Sequence, residues 1–232
     1  TCKVRRGDEA AEADFAAAVE RYRSARGDAG EPGAQELKAL LGLGFLKARG
    51  GAREEAVGIL EAVRSAAASR GALALEEASI SRLAVIAIDG GELDRAIALA
   101  EQAADLALHL GDANLLLVDR CRLADALVRC GRAGRAAPLL QEALDLPTSR
   151  VEPENVDYAR MLLASAWADS GSPDEERERC LLDECLSRCR GRSKKRPLLT
   201  ALALEMERRA RPGCPAPFEP VAREVDAVAR GP

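Results

Sequence analysis

Residues 41–60, LGLGFLKARGGAREEAVGIL, put Gly42 and Gly44 inside what otherwise reads as an apolar helix, with Gly50 and Gly51 directly after it. Glycine weakens a helix interior by up to about 1 kcal/mol relative to alanine, so two in one helix need a reason. An internal repeat supplies it for one of them. Gly51, Gly91, Gly131 and Gly171 stand forty residues apart. Eight residues before each lies Leu43, Leu83, Leu123 or Leu163, followed in turn by the small residues Gly44, Ala84, Ala124 and Ala164. Five residues after the first three glycines come Ala56, Ala96 and Ala136, then Leu60, Ala100 and Leu140, then Val63, Ala103 and Ala143. So many columns in register mark a repeat architecture.

Each period reads as a helix–turn–helix unit. The Leu-small pair lies in a first helix, the glycine ends that helix in a left-handed turn, and the following apolar columns form one face of a second helix. Gly44 then lets the second helix of its own unit approach closely. Gly42 shares a column with Arg82, Arg122 and Leu162 and gains no packing role from the repeat. The columns predict helix pairs at 34–49 with 53–70, 74–89 with 92–110, 113–130 with 133–146, and 154–170 with 173–189. Phe15, Val19 and Tyr22 stripe a helix near 8–26, and Ala16, forty before Ala56, assigns that helix to the second half of a preceding unit. Further helices are expected at 198–209 and 220–229. The organisation is a partial unit and loop (1–33), four repeats (34–73, 74–113, 114–153, 154–190), then a capping helix and tail (191–232). Glu176 breaks the alanine column of the last repeat, as a terminal, water-facing unit would.

The 232 residues are 47% hydrophobic and 31% charged, the balance of a globular chain with a real core. Few aromatics and abundant Ala and Leu favour an all-α fold. A net charge of −4 gives no general attraction to nucleic-acid phosphates, and no run of eighteen apolar residues spans a membrane. The sequence opens on Thr1 rather than Met and reads as a piece of a longer polypeptide. Seven cysteines, an odd count in a long chain, favour reduced thiols in a bacterial-type cytoplasm, and the Ala, Arg and Gly bias suggests a GC-rich genome.

These columns resemble the tetratricopeptide repeat (TPR): Leu43, Gly44, Gly51, Ala56 and Leu60 meet its pattern, as do Leu123, Ala124, Gly131, Ala136 and Leu140, over roughly residues 34–190. The forty-residue period exceeds the usual 34 and is similar to the long-helix variants of kinesin light chains and bacterial regulators. The resemblance implies a right-handed α-α superhelix whose first helices line a concave groove for a protein or peptide. Carried over column by column, it places Lys38, Leu41, Phe45, Ser81, Arg82, Val85, Asp89, Cys121, Arg122, Asp125, Arg129, Tyr158, Met161, Ser165 and Asp169 in that groove. Arg82 and Arg122, in one column, are expected side by side, gripping a carboxylate or phosphate, or else pairing with acids on adjacent helices. The Lys and Asn set that clamps chaperone tails in some family members is missing.

Cys180, Cys185, Cys189 and Cys214 have the ligands for a zinc site but no Cys-x-x-Cys knuckle, and read better as buried thiols. His109 is alone near a helix end, and neither a nucleophile elbow nor a phosphate loop occurs. The basic run Arg188, Arg190, Arg192, Lys194, Lys195 and Arg196 reads as a solvated linker, and Arg26-Gly27-Asp28 as an accident of composition. The expectation is a non-catalytic interaction scaffold without metal or cofactor, the regulatory or recruitment part of a larger bacterial signalling protein such as a serine/threonine kinase or transcription regulator. Dimerisation through an end repeat stays open. The alternative is a sensor domain that takes a small effector in the groove.

Overall fold

The computed structural model describes residues 2–27, 30–146, 151–170, 175–191, 195–210 and 219–230. Its chain forms two compact units, Thr1–Asp112 and Ala113–Pro232. The first holds α1 (Cys2–Arg26), α2 (Ala34–Gly50), α3 (Arg53–Ser69), α4 (Leu73–Asp89) and α5 (Leu93–Leu110), each packed on the next, with α2 also touching α4. The second holds α6 (Ala113–Arg129), α7 (Ala133–Leu144), α8 (Pro153–Ser170), α9 (Glu175–Gly191), α10 (Lys195–Ala210) and α11 (Glu219–Arg230). There α6 meets both α7 and α8, and α10 packs against α8, α9 and α11. No strand occurs among the described residues.

The turns are nearly identical. Gly51 has φ +90, and its amide donates to the Ala48 carbonyl at 3.2 Å while the next amide, of Ala52, reaches back to Lys47 at 2.9 Å. This paired closure satisfies carbonyls that a helix end otherwise leaves open, and it needs a left-handed residue that glycine adopts without strain. The same two bonds recur at Gly71, Gly91, Gly111 and Gly131, all with positive φ. The spacing is therefore twenty residues, because the second helix of a pair ends as the first does. Gly171 lies outside the described residues.

The repeat columns form the core. Ala56, Ala96, Ala136, Leu60, Ala100 and Leu140 are completely enclosed, and Ala84, Ala124 and Ala164 are buried beside them. A side chain built on Gly44 would place its Cβ 3.0 Å from the enclosed Leu60, the close approach expected within a pair. Gly42 does have a packing role, contrary to the sequence expectation. Its missing Cβ would fall 2.6 Å from the Phe15 ring, which α1 lays over it. Repeat columns cannot show this, because Phe15 comes from outside them. Ala16 is exposed, and Glu20 and Arg23 stand where α3 carries Leu60 and Val63, so the second-helix core columns do not continue into α1.

The second unit closes on an apolar cluster of Met161, Cys185, Leu186, Ala201, Leu202 and Val221, flanked by Val225 and Val228 of α11. Arg190 also donates two 2.7 Å hydrogen bonds to Glu224, tying α9 to α11. Three of the four buried carboxylates among the described residues of this unit each have an arginine one turn further along the helix: Asp119 with Arg122, Asp157 with Arg160, and Glu205 with Arg208. Burial pushes the Glu205 carboxyl up, but hydrogen bonds from Arg208 and Arg209 outweigh this and hold it below the ordinary glutamate range.

Two outcomes follow. Gly44→Val overpacks a site whose neighbour cannot give way and should cost about 1–3 kcal/mol in urea unfolding, whereas Gly42→Ala should be nearly neutral because the partly exposed Phe15 ring can swing out. An equal loss at both positions contradicts this assignment. Glu205 has a lowered native pKa, so its stabilisation is present above the ordinary carboxylate pKa and lost as pH falls through the lowered value. Glu205→Gln should therefore lose on the order of 2 kcal/mol at pH 7, and its deficit against the parent should shrink steadily as unfolding is measured towards pH 2.

Candidate functional site

In the first unit, the touching helices α2 and α4 present the predicted positions of the first two repeats. Phe45 and Val85, forty residues apart, are 42% and 37% exposed, large apolar side chains on the outside of their helices. The Arg82 guanidinium carbon lies 5.5 Å from the centre of the Phe45 ring and that of Arg49 lies 5.7 Å from it. Each such contact contributes about 0.5–1 kcal/mol at an exposed site and holds a flexible cation in place. Arg82 also donates to its own helix at Ala78, 3.2 Å away, and Arg49 pairs with Asp8 of α1 at 3.1 Å. Lys38 and Asp89 are exposed near opposite ends of their helices. Arg49, which sequence reasoning did not select, was legible: it shares a column with Asp89, Arg129 and Asp169. Leu41 and Ser81 are buried and contribute packing rather than surface.

In the second unit, charges are held locally. Arg122 pairs with Asp119 at 2.8 Å and Arg129 with Asp125 at 2.9 Å, each within α6. Asp119 is fully enclosed. Its column otherwise carries Ala39, Ser79 and Ala159, so a charge there, three residues before an arginine, is a signal from which the pair could have been read. Tyr158 of α8 is 40% exposed overall, so the burial that acts on it falls on the part of the side chain that carries the hydroxyl. Burial, followed by the negative charges of Asp125 and Cys121, pushes its phenol up to about 12 despite the opposing Arg129 and Arg122. Tyr158 thus belongs to one cluster with the α6 side chains. Ser165 is half-buried and Asp169 exposed further along α8.

Met161 has to be withdrawn from the surface. It is 3% exposed, in the cluster that α10 and α11 cover, and so offers nothing to a groove occupant. Leu41, Ser81 and Cys121, at the same column position, are buried as well, so this column faces the interior in both units. Cys121 is likewise buried, and burial pushes its thiol up to about 12.

Cys185 and Cys189 are buried while Cys180, on the same helix, is exposed. Burial and the neighbouring Asp157 push the Cys185 thiol up to about 12. Among the described residues no three His, Cys, Asp or Glu side chains gather as metal ligands, and Cys214 lies outside them. Residues 192–194 of the basic run and Asp28 of the Arg-Gly-Asp sequence also lie outside, as do the side chains of Lys195 and Arg196. No helix of the described residues is long and apolar enough to cross a membrane.

No family model and no curated protein matches the chain. Solved structures do. Two crystal structures of nearly identical TPR-like repeats, from a protein designated a kinesin light chain of Podosopora anserina, are 20% identical to it and cover 82% of its length. The matches include 89% and 90% of those chains, with TM-scores of 0.59 and 0.57. The fold is TPR-like. Phe45 and Val85 stand forty residues apart on α2 and α4 of this fold.

The thiols offer a direct check. At pH 8 a thiol whose pKa is near 12 is ionised only about once in ten thousand molecules. Cys121 and Cys185, in single-cysteine variants, should react with a disulfide reagent only when urea unfolds the chain, while Cys180 reacts in the folded state. Comparable folded-state rates at the three positions would contradict the burial described.

Proposed function

We propose that this chain is a non-catalytic protein-interaction scaffold. One observation carries the reading: an exposed face on α2 and α4 where Phe45 and Val85 stand among Lys38, Arg49 and Arg82, with two guanidinium groups already ordered over one aromatic ring. Exposed apolar side chains flanked by held cations suit a peptide that offers both an apolar side chain and a carboxylate. Ordering the cations beforehand lowers the entropic cost of binding. The TPR-like fold is consistent with this, since adjacent first helices place equivalent side chains side by side. Arg122, Asp125, Arg129 and Tyr158, with Ser165 and Asp169, form the corresponding face of the second unit, a more self-neutralised surface suited to polar contacts.

The setting is the regulatory or recruitment part of a larger bacterial signalling protein in the cytoplasm, built as four TPR-like repeats over residues 34–190 with capping segments on either side.

The test is affinity capture from native lysate, comparing the chain with a Phe45→Ala, Arg82→Glu double variant whose circular dichroism retains full helicity. A protein held by the first and released by the second, with a loss of at least tenfold in measured affinity, is the expected result. Equal capture by both would take the binding surface off α2 and α4.

A further inference from the structure

The hold of α1 on α2 is mainly polar. With 17 residues, α3 buries Ala56, Leu60, Val63 and Ala67. With 25 residues, α1 buries only Val19 among its described side chains. Among the described side chains the rest of the attachment is ion pairs and the Phe15 ring, with Ala11 and Ala18 half-buried beside them. Asp8 meets Arg49 at 3.1 Å, Glu12 meets Lys47 at 2.9 Å, and Arg26 and Arg23 reach the buried Glu36 at 3.2 and 3.8 Å. Phe15 lies over the notch left by Gly42. Asp8, Glu12, Phe15, Val19 and Arg26 share one face of α1 by helical spacing. Hydrogen bonds from Glu12, then Glu55, raise the Lys47 pKa.

This face engages the candidate site. Asp8 takes the same Arg49 whose guanidinium stacks on Phe45, and Phe15 covers a position in the column of Arg82 and Arg122. Beside the contact an open cleft of about 280 Å³ separates the helices, lined by Glu9, Glu12, Ala13, Ala16, Leu43 and Lys47. The pairs Asp8–Arg49 and Glu12–Lys47 are partly exposed. Such pairs contribute roughly 0–1 kcal/mol each and are screened beyond about 8 Å at physiological salt, whereas the pairing of Arg26 and Arg23 with the buried Glu36 anchors the C-terminal end of α1 more firmly. Among the described side chains the apolar burial that opposes release is centred on Val19 and the Phe15 ring.

We propose that α1 is a releasable arm seated in a docking site on α2 for an acidic amphipathic helix of a partner protein, one with two carboxylates a turn apart and an aromatic ring three residues on. The inference rests on the reading of the chain as an interaction scaffold. The resident helix shows which chemistry the seat accepts: Arg49 and Lys47 for the carboxylates, the Gly42 notch for the ring. A partner helix with that pattern displaces α1 and frees Arg49 for the neighbouring face.

The test titrates a labelled synthetic peptide of residues 3–26 of this same sequence onto the full chain. Asp8→Lys, Glu12→Lys in the chain turns its own arm against the seat and leaves the seat intact. Hydrogen exchange should then be at least tenfold faster in α1, with α3 to α5 protected as before, and the peptide should bind at least tenfold more tightly than to the parent. Adding Lys47→Glu, Arg49→Glu should remove that gain. Unchanged α1 exchange would overturn the proposal by showing that the ion pairs do not hold the arm. Faster exchange without tighter peptide binding would overturn the seat, and a variant that sediments as a dimer would replace the partner helix with a second copy of α1. None of these readouts depends on the lysate partner, so failure here is distinct from failure of the capture experiment.

Discussion

A helix has to be stopped and its last carbonyls satisfied within two residues for its neighbour to fold back against it. That constraint is met here five times by a glycine in the left-handed region, followed by an amide that reaches back five residues. Everything in the core depends on it. A turn this short fixes the relative height of the two helices, so the side chains that face each other are always at the same offsets from the glycine. Alanine at those offsets is then a geometric necessity: Ala56, Ala96 and Ala136 are fully enclosed, and a larger residue would push the pair apart.

Much of this could be read directly. The glycine columns placed the helix pairs to within a few residues, and the Leu-small dipeptides identified which residues lie between helices. Gly44 was understood because both partners in its contact belong to one repeat. Gly42 was not, because the ring above it comes from α1, where the columns have lapsed. The half-period was also open to view: Gly71 and Gly111 stand midway between the glycines that defined the repeat. They fall outside the forty-residue glycine column because they close the second helix of a pair rather than the first.

The candidate surface was less legible. Columns give the direction in which a side chain leaves its helix, and that was sufficient for Phe45 and Val85. They say nothing about what else covers that direction. Met161 shares its column with Leu41, Ser81 and Cys121, all of them buried, so that column faces inward and α10 and α11 only complete the cover over Met161; the column of Arg49 gives its position, while its cation–π contact and ion pair are visible only in the structure. In the second unit the recurring acid-x-x-arginine spacing could have been found by eye. Its meaning depends on burial: an exposed pair of that spacing is ordinary, whereas Asp119 and Glu205 bury a carboxylate that the arginine must neutralise.

The spacing of the turns also limits how such a chain can change over generations. Inserting one residue into α4 would rotate every side chain beyond it by about 100°, taking Leu83 and Ala84 off the buried face while moving Gly91 out of the position where the helix can end. Small insertions and deletions are therefore poorly tolerated in the helices, whereas adding or removing a complete forty-residue segment leaves every remaining offset intact. A gene for this architecture can lengthen by duplicating whole modules, and each copy can then diverge at its exposed columns, as Phe45, Val85 and Asp125 have done at one shared position.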